Sequence, residues 1–320
     1  MVFQPKGGPK GGNETPIRGE ISLNSLVDQI ADAVRERLVK EGVPLTGKPA
    51  TWQNLLHHGA DRIGHGGESP FQPHLLHGDS GLASKIDHTL LKPDATREEI
   101  QRVCEEARNH HFATVCVNST HIALVADLLK GCRTKAIAVV GFPLGAGSTA
   151  SKAFEAREAI RAGAQEIDMV INIGALKGRD YSLVLEDIRQ VVEASLPYPV
   201  KVILETSSLD QDQKIIGCAL SKAAGAAFVK TSTGFGSGGA TSEDIELMRR
   251  IVGPEMGVKA SGGIRTYEDA AKMIAAGASR IGASASVAIV TQSKSGSSGS
   301  SSSESSSKKP SAKPYKSSLY

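Results

Sequence analysis

Two lysines, each at the end of a short apolar run, are the residues of this sequence best suited to covalent chemistry. Lys230 closes the run FVK and Lys259 follows Val258, and a glycine-rich turn and a predicted helix come after each lysine. Burying an ammonium ion is costly, so such a lysine is either paired with an anion or has a lowered pKa. If the two meet, ammonium groups about 4 Å apart repel by about 4 kcal/mol at an effective dielectric constant of about 20, or roughly three pKa units. One lysine would then be neutral at about pH 7 and able to form a Schiff base with a carbonyl compound.

A carboxylate in a third apolar segment fits the same chemistry. Asp168 lies between Ile167 and Met169, and a carboxylate buried there needs a cationic partner. Beside a pair of lysines, Asp168 would supply a proton relay next to a nucleophilic amine. The plainer interpretation is that Lys230 reaches solvent or forms a salt bridge and that Asp168 is a structural ion partner. The presence of two strand-end lysines favours catalysis.

Three glycine-rich turns follow the last predicted strands and indicate an anionic substrate. They contain Gly234, the pair Gly262 and Gly263, and the stretch from Gly282 to Ser284. Glycines let backbone N–H groups approach an anion closely, and the N-terminus of a following helix adds its dipole. In (β/α)8 barrels the loops after strands seven and eight commonly bind phosphate. The turns therefore predict a phosphorylated substrate.

The elements that must position these residues form a repeating pattern of strand and helix. Helical stretches separate eight short apolar runs, an order typical of βα units. Eight units in about 200 residues fit an α/β fold of the (β/α)8 type, the TIM barrel, whose active site lies at the C-terminal ends of the strands. An open doubly wound sheet is the alternative, but no GxGxxG follows the first strand. The predicted strands are 86–90, 114–117, 136–140, 166–171, 200–204, 227–230, 257–260 and 280–282.

The chain extends beyond the predicted barrel on both sides. Within 22–40, apolar residues follow the three-and-four spacing of an amphipathic helix. That helix either docks on its own barrel or on a dimer partner, or it detaches and binds a partner elsewhere. It resembles the short targeting helices that deliver enzymes into bacterial microcompartment shells, which would make a shell protein its partner. We expect disorder over 1–20, the helical segment over 21–45, a linker over 46–83, the barrel over 84–290, and a flexible tail rich in Ser and Lys over 291–320.

Composition argues against several classes of function. The formal net charge of +3 comes from the tail, so nucleic-acid binding is not expected. The four cysteines lack metal-ligand spacing, and His57, His58 and His65 lie among glycines without a carboxylate at ligand spacing, so no metal is expected. No apolar run is long enough to cross a membrane, and no secretory signal begins the chain. We expect a cytoplasmic protein, or one held within a bacterial microcompartment.

Seven short motifs spread over residues 84–290 resemble those of the deoxyribose-phosphate aldolase family. The resemblance implies a class I aldolase that uses no metal or other cofactor. It implies cleavage of 2-deoxy-D-ribose 5-phosphate to D-glyceraldehyde 3-phosphate and acetaldehyde through a lysine Schiff base, and we expect a dimer or tetramer. The motifs are IDHTLLKPDAT (86–96), VCVN (115–118), VVGFPLG (139–145), EIDMVINIGALK (166–177), FVKTSTGF (228–235), VKASGGIRT (258–266) and RIGAS (280–284).

The resemblance also implies roles for individual residues. It makes Lys230 the Schiff-base lysine, Lys259 the second lysine that tunes it, and Asp168 the acid/base partner. Asp87 matches a carboxylate that contacts Lys259, and Cys116 lines the pocket. Together with the polar strand ends and the turns, the residues expected to bind substrate are Asp87, Thr89, Cys116, Thr233, Gly234, Gly262, Gly263, Gly282 and Ser284.

Two positions depart from the family pattern. Some members carry two serines after the last strand, whereas Ser284 is followed here by Ala285. Members often have a proline after the second lysine, whereas this chain has Ala260. A backbone N–H still serves a phosphate at the first position, and a small apolar residue preserves the turn at the second. Two alternatives stay open: an aldolase of a related phosphosugar, and an inactive barrel that acts as a scaffold through the 22–40 helix and the tail.

Overall fold

Eight parallel strands close into a barrel in the computed structural model, which describes residues 79–295 together with Gln29, Asp32 and Glu36. Each strand pairs with the next along the chain, and the eighth pairs with the first. This closure excludes the open doubly wound sheet and confirms the predicted (β/α)8 fold. The strands are β1 (Ile86–Leu90), β2 (Thr114–Val117), β3 (Lys135–Val140), β4 (Glu166–Val170), β5 (Val200–Ile203), β6 (Phe228–Lys230), β7 (Gly257–Ser261) and β8 (Arg280–Ala283).

Helices follow the strands and cover the outside of the barrel. A capping box begins the helix after β1: the backbone N–H of Glu99 donates to the Thr96 hydroxyl, and the Glu99 carboxylate accepts from the Thr96 N–H. The helices are α1 (Asp79–Ala83), α2 (Arg97–His110), α3 (Ile122–Leu128), α4 (Thr149–Arg161), α5 (Ile173–Lys177), α6 (Tyr181–Ser195), α7 (Gln211–Ala223), α8 (Ser242–Val252), α9 (Tyr267–Ala275) and α10 (Ser286–Ser295).

Each strand begins and ends within one residue of its predicted position, whereas two short helices have no marker in the sequence. These are α1 and α5, each five residues long. Five residues make little more than one turn, so no apolar periodicity can mark them. In α5 the helix start is stabilised locally, because the Asn172 side chain accepts a hydrogen bond of 3.0 Å from the N–H of Ala175.

Alternate strand residues face either the helices or the barrel interior. The outward set is apolar and joins the helices in one large core; β4, for example, contributes Ile167 and Met169. The inward set is different, because it includes Asp168 and other charged residues along with a small apolar group around Cys116 and Ile137. The charged part of the interior carries the candidate site.

The segments outside the barrel remain predictions. Gln29, Asp32 and Glu36 are helical, and Asp32 is buried. The remainder of 1–78, including the three histidines, and the tail from 296 lie outside the described residues. Among the helices that the structure describes, none is long and apolar enough to cross a membrane.

Candidate active site

The sheet register places the two predicted lysines side by side in the barrel interior. Lys230 of β6 pairs with Lys259 of β7 at the same level. Asp168 of β4 reaches both, because its Oδ2 lies 2.9 Å from Nζ of Lys230 and 2.8 Å from Nζ of Lys259. All three side chains are almost completely buried. The structure therefore brings the three predicted catalytic residues into direct contact around one carboxylate oxygen.

Asp87 lies next to this group and anchors the second lysine. Its Oδ2 lies 2.6 Å from Nζ of Lys259, and its Oδ1 accepts hydrogen bonds of 2.7 Å from both Thr114 and Arg280. Lys259 thus sits between two carboxylates, Asp87 and Asp168. Lys230 has a salt bridge to Asp168 alone within the described part of the chain.

This difference in partners separates the two lysines electrostatically. Burial lowers the pKa of Lys230, and although Asp168 acts in the other direction, Lys259 adds to the lowering. Burial also disfavours the charged form of Lys259, but Asp168 and Asp87 outweigh it, so the pKa of Lys259 is raised. Burial would raise the pKa of Asp168, yet the surrounding lysines, Lys201 first among them, hold it well below its usual range. The site combines an amine that readily loses its proton with an ammonium and a carboxylate that keep their charges.

Cys116 lines the barrel interior as a neutral thiol. It packs in the small inner apolar group with Leu91, Ile137 and Val139. Burial raises its pKa to about 11, so it is not a thiolate near neutral pH. Its place beside the lysines fits the predicted lining of the pocket.

Two predicted substrate-binding threonines lie near the mouth of the barrel. The Thr89 hydroxyl donates a 2.9 Å hydrogen bond to the carbonyl oxygen of Asp87 and is half-buried. Thr233 is buried, and both its N–H and its hydroxyl bond to the carboxylate of Glu205, at 3.0 and 2.5 Å. Thr233 is therefore held by a carboxylate at the end of β5 that the sequence analysis did not assign to the site.

The glycine turns after β6 and β7 meet at the rim. The N–H of Ala240 donates to the carbonyl oxygen of Gly262 over 3.0 Å. A Cβ on Gly239 would lie 2.4 Å from that oxygen, so only glycine permits this approach. Gly234, Gly262 and Gly263 have positive φ angles of 89°, 90° and 80°, which glycine adopts without strain. Their backbone N–H groups therefore lie in loops on the same side of the barrel as the lysine ends of β6 and β7.

Gly282 and Ser284 differ in position, although both belong to the predicted third turn. Ser284 is exposed, just beyond β8. Gly282 lies within β8, where a Cβ would come within 2.3 Å of Oγ of Ser261 and 2.9 Å of Cε of Lys259. The missing side chain of Gly282 makes room for Lys259 and Ser261, which is a packing requirement that the sequence pattern did not distinguish from a phosphate turn.

The interior also contains residues that the sequence analysis missed. Lys201 of β5 is fully buried, with Nζ 2.5 Å from Glu166 and 3.0 Å from Oδ1 of Asp168. The hydroxyls of Ser232 and Ser261 are buried and find no hydrogen-bond partner within residues 79–295. Lys201 carried a usable signal, because it lies between Val200 and Val202 just as Asp168 lies between two apolar residues.

No group of three or more His, Cys, Asp or Glu side chains suited to a metal ion occurs among the residues that the structure describes.

Comparison with known proteins agrees with this geometry. The model of the family described as DeoC/LacD family aldolase matches residues 82–299, more than half of the chain. The chain belongs to this family. It is an aldolase, a lyase that cleaves or forms carbon–carbon bonds.

Curated relatives align over nearly their full length at high identity. A deoxyribose-phosphate aldolase of Streptococcus suis (strain 05ZYH33) is 58% identical over 209 residues, which are 65% of this chain and 95% of that protein. A deoxyribose-phosphate aldolase of Clostridium novyi (strain NT) is 57% identical over 215 residues, which are 67% of this chain and 97% of that protein. The aldolase domain is thus present at nearly full length.

Solved structures of related proteins share the fold. A candidate deoxyribose-phosphate aldolase from Coccidioides immitis has a TM-score of 0.72 and 39% identity, and the match covers 86% of this chain and all of that chain. The deoxyribose phosphate aldolase from Aeropyrum pernix, described as having a unique tetrameric structure, has a TM-score of 0.66 and 33% identity over 69% of this chain and 94% of that chain. The Coccidioides match therefore extends over more of this chain than the Aeropyrum match does.

Proposed function

We propose that this protein is a class I aldolase that cleaves 2-deoxy-D-ribose 5-phosphate to D-glyceraldehyde 3-phosphate and acetaldehyde, with Lys230 as the Schiff-base lysine. The observation that carries the proposal is the arrangement of Lys230 and Lys259 on one oxygen of Asp168, at 2.9 and 2.8 Å. The pKa of Lys230 is lowered while that of Lys259 is raised, so the nucleophile and the acid are separate groups.

The first steps form the iminium ion. The neutral amine of Lys230 adds to the C1 carbonyl of the open-chain sugar phosphate, and the oxygen takes a proton to give a carbinolamine. The carbinolamine then loses water, and the nitrogen lone pair forms the C=N bond of the iminium. Lys259 is the proton donor, because two carboxylates keep it protonated and hold it beside Lys230.

Carbon–carbon cleavage follows from the electron demand of the iminium. Acetaldehyde carries C1 and C2, so the bond that breaks is C2–C3. The C3 hydroxyl gives up its proton, the C2–C3 electron pair moves into the iminium as an enamine, and glyceraldehyde 3-phosphate leaves. Asp168 is the proton acceptor, directly or through a water, because it is ionised and its Oδ2 lies 2.9 Å from Nζ of Lys230. Protonation of the enamine at C2 and addition of water then release acetaldehyde and regenerate Lys230.

The phosphate group binds at the rim, among the backbone N–H groups of the loops after β6, β7 and β8. Gly234, Gly263 and Ser284 belong to those loops and are partly or fully exposed. Backbone N–H groups bind an anion such as phosphate through hydrogen bonds, without transferring a proton to it. The absence of a serine at position 285 leaves this backbone contribution intact.

Reductive trapping tests the proposal directly. Protein incubated with 2-deoxyribose 5-phosphate and sodium borohydride should carry a reduced adduct on Lys230, read by peptide mass spectrometry. Lys230→Leu should abolish the adduct. The matched control is Lys214→Leu, since Lys214 is a partly buried lysine that pairs with Asp244 on the outer helices, 2.7 Å away; this variant should be trapped normally.

Two outcomes would favour the alternatives. No Lys230 adduct on a well-folded sample would overturn the class I mechanism and leave the inactive scaffold. If another phosphosugar in a substrate panel forms the Lys230 adduct more efficiently, the Schiff-base mechanism stands and that phosphosugar is the substrate.

The assembly and the N-terminal segment belong to the same proposal. We infer a homo-oligomer, supported by the tetramer described for the Aeropyrum relative. We further infer that the helical segment around Asp32 docks on its own chain, because Asp32 is buried within a single copy. The broad coverage by the Coccidioides structure supports docking over delivery to a microcompartment shell protein.

A further inference from the structure

Lys201 is a fully buried lysine that the steps above leave unused. It reaches across from β5 to β4, where its Nζ lies 2.5 Å from Oε2 of Glu166 and 3.0 Å from Oδ1 of Asp168. Lys230 and Lys259 both bond to the other oxygen of Asp168, Oδ2. Lysines from three different strands therefore fix the two oxygens of one carboxylate.

This arrangement has a geometric consequence. The carboxylate of an aspartate can rotate about its Cβ–Cγ bond unless both of its oxygens are held by hydrogen bonds. Lys201 holds Oδ1, so Oδ2 stays between the two lysines that carry out the reaction. Displacement of a catalytic group by about 1 Å can cost on the order of a hundredfold in rate.

The charges of the interior have a second consequence, because they do not balance when every group is ionised. Four cations, Lys201, Lys230, Lys259 and Arg280, face three carboxylates, Asp87, Glu166 and Asp168, among the buried interior residues that the structure describes. Three of the cations each contact two carboxylates, whereas Lys230 contacts one. The least compensated buried cation is the first to lose its proton.

We propose that Lys201 is a positioning residue of the aldolase site: it holds Oδ1 of Asp168 in place, and its positive charge in the interior favours the neutral form of Lys230. The inference rests on the proposed function, because it takes Lys230 as the Schiff-base lysine. The hold on Oδ1 is a contact that neither lysine of the reacting pair makes, since both of those bond to Oδ2.

The other groups around Lys230 leave this role to Lys201. Cys116 is a neutral thiol. Glu205 lies beyond β5 and bonds to Thr233 and Ser207. Lys135, at the start of β3, is half-exposed and 3.9 Å from Glu166. The charged or titratable groups by strand are Asp87 (β1), Cys116 (β2), Lys135 (β3), Glu166 and Asp168 (β4), Lys201 (β5), Lys259 (β7) and Arg280 (β8).

The test measures Schiff-base formation at Lys230 as a function of pH. Acetaldehyde and cyanoborohydride are the probes: the Lys230 nitrogen adds to the carbonyl carbon, water leaves, and hydride reduces the imine to an N-ethyl lysine. Peptide mass spectrometry reports Lys230 alone. Adduct formation should fall as the pH is lowered and Lys230 becomes protonated. In Lys201→Met the pH of half-maximal adduct formation should rise by about one to two pH units, because the loss of a buried positive charge raises the pKa of Lys230.

A double variant separates charge from position. In the double variant Lys201→Met with Glu166→Gln, three cations face two carboxylates. This restores the wild-type excess of one positive charge. The midpoint should move back to within about half a pH unit of the wild-type value. The kcat for cleavage should stay low, by about tenfold or more, because Oδ1 of Asp168 is still unsupported. Glu166→Gln alone should move the midpoint downward.

Lys152 provides a matched control. It is a buried lysine paired with Asp187 at 2.6 Å outside the barrel interior, so Lys152→Met should lose thermal stability without shifting the pH profile. If Lys201→Met does not fold, Glu166→Gln and the double variant still test whether the excess of buried positive charge sets the pKa of Lys230.

Two negative outcomes are distinguishable. Overlapping profiles for wild type, Lys201→Met and Glu166→Gln would overturn the role of Lys201 and leave the proposed function standing. A wild-type protein with no Lys230 adduct at any pH would overturn the proposed function itself.

Discussion

At the scale of single residues, the number of anions around each buried lysine decides what that lysine can do. Lys259 lies between two carboxylates and Lys152 pairs with Asp187 and with the carbonyl oxygen of Val170. Among the described residues, Lys230 has a salt bridge to Asp168 alone, and it shares Oδ2 of Asp168 with Lys259. Side-chain type is the same in each case, so the difference in chemistry comes from the partners that the barrel supplies.

This difference predicts opposite effects on stability for two like substitutions. The pKa of Lys230 is lowered on folding, so at neutral pH, below the ordinary lysine value of about 10.4, this group destabilises the folded chain. Lys230→Met removes that cost and should raise Tm by a few degrees. The pKa of Lys259 is raised, so its stabilisation is full below about 10.4 and is lost only as pH rises through the folded value. Lys259→Met should cost about 3–5 kcal/mol, because it leaves two buried carboxylates undercompensated.

Calorimetry at pH 7 compares the two variants. The control is Lys135→Met, since that lysine is half-exposed and 3.9 Å from Glu166, and its loss should change the free energy of unfolding by less than about 0.5 kcal/mol. A Tm that falls equally in Lys230→Met and Lys259→Met would contradict the unequal partnering of the two lysines.

At the same scale, the sequence singled out the lysines proposed to react but not the residues packed around them. Lys230 and Lys259 were recognisable because glycine turns follow them. Lys201 is flanked by two valines but no glycine turn follows it, and Ser232 and Ser261 become notable only when burial leaves their hydroxyls without a partner in 79–295. Such facts depend on the register between strands, which no single stretch of sequence contains.

At the scale of elements, the strands were predictable because each is a short apolar run bounded by turn residues. The structure of the rim was harder to predict, because its shape depends on contacts between loops that are far apart in sequence. The bond from Ala240 to Gly262 joins the loops after β6 and β7, and it requires the small size of Gly239. Glu205 supports the same rim through Thr233.

The loop contact gives a prediction for substrate binding. In Gly239→Ala, a Cβ would lie 2.4 Å from the carbonyl oxygen of Gly262, so the two loops must separate. We expect KM for 2-deoxyribose 5-phosphate to rise about tenfold with a smaller change in kcat, because phosphate contacts serve the ground state and the transition state alike. Steady-state kinetics measures both constants.

A glycine without crowding serves as the control. Gly174, in α5, would place a Cβ no closer than 3.7 Å to the Asn172 side chain, so Gly174→Ala should leave KM unchanged. A Gly239→Ala enzyme with wild-type KM and normal stability would show that the phosphate does not bind at this rim.

At the scale of the whole molecule, closure of the barrel is what assembles the site. Asp87 and Arg280 are 193 residues apart in sequence and 2.7 Å apart in space, because β8 returns to pair with β1. An open sheet would leave these two strands at opposite edges. The fold class could be predicted from the repeat of strand and helix, and closure then follows from the count of eight, but the ion pairs that cross the interior could not.

The segments outside the barrel carry the last prediction. Asp32 is helical and buried within one copy of the chain, so deletion of residues 1–45 should expose the surface that covers it. We expect Tm to fall by several degrees while Lys230 is still trapped by acetaldehyde, because the proposed catalytic residues all lie between 87 and 259. Deletion of 296–320 is the matched control and should leave Tm unchanged. Light scattering on the same samples measures the oligomeric state. A truncated protein that keeps its Tm and its oligomeric state but no longer binds a shell protein would overturn docking on the barrel in favour of targeting.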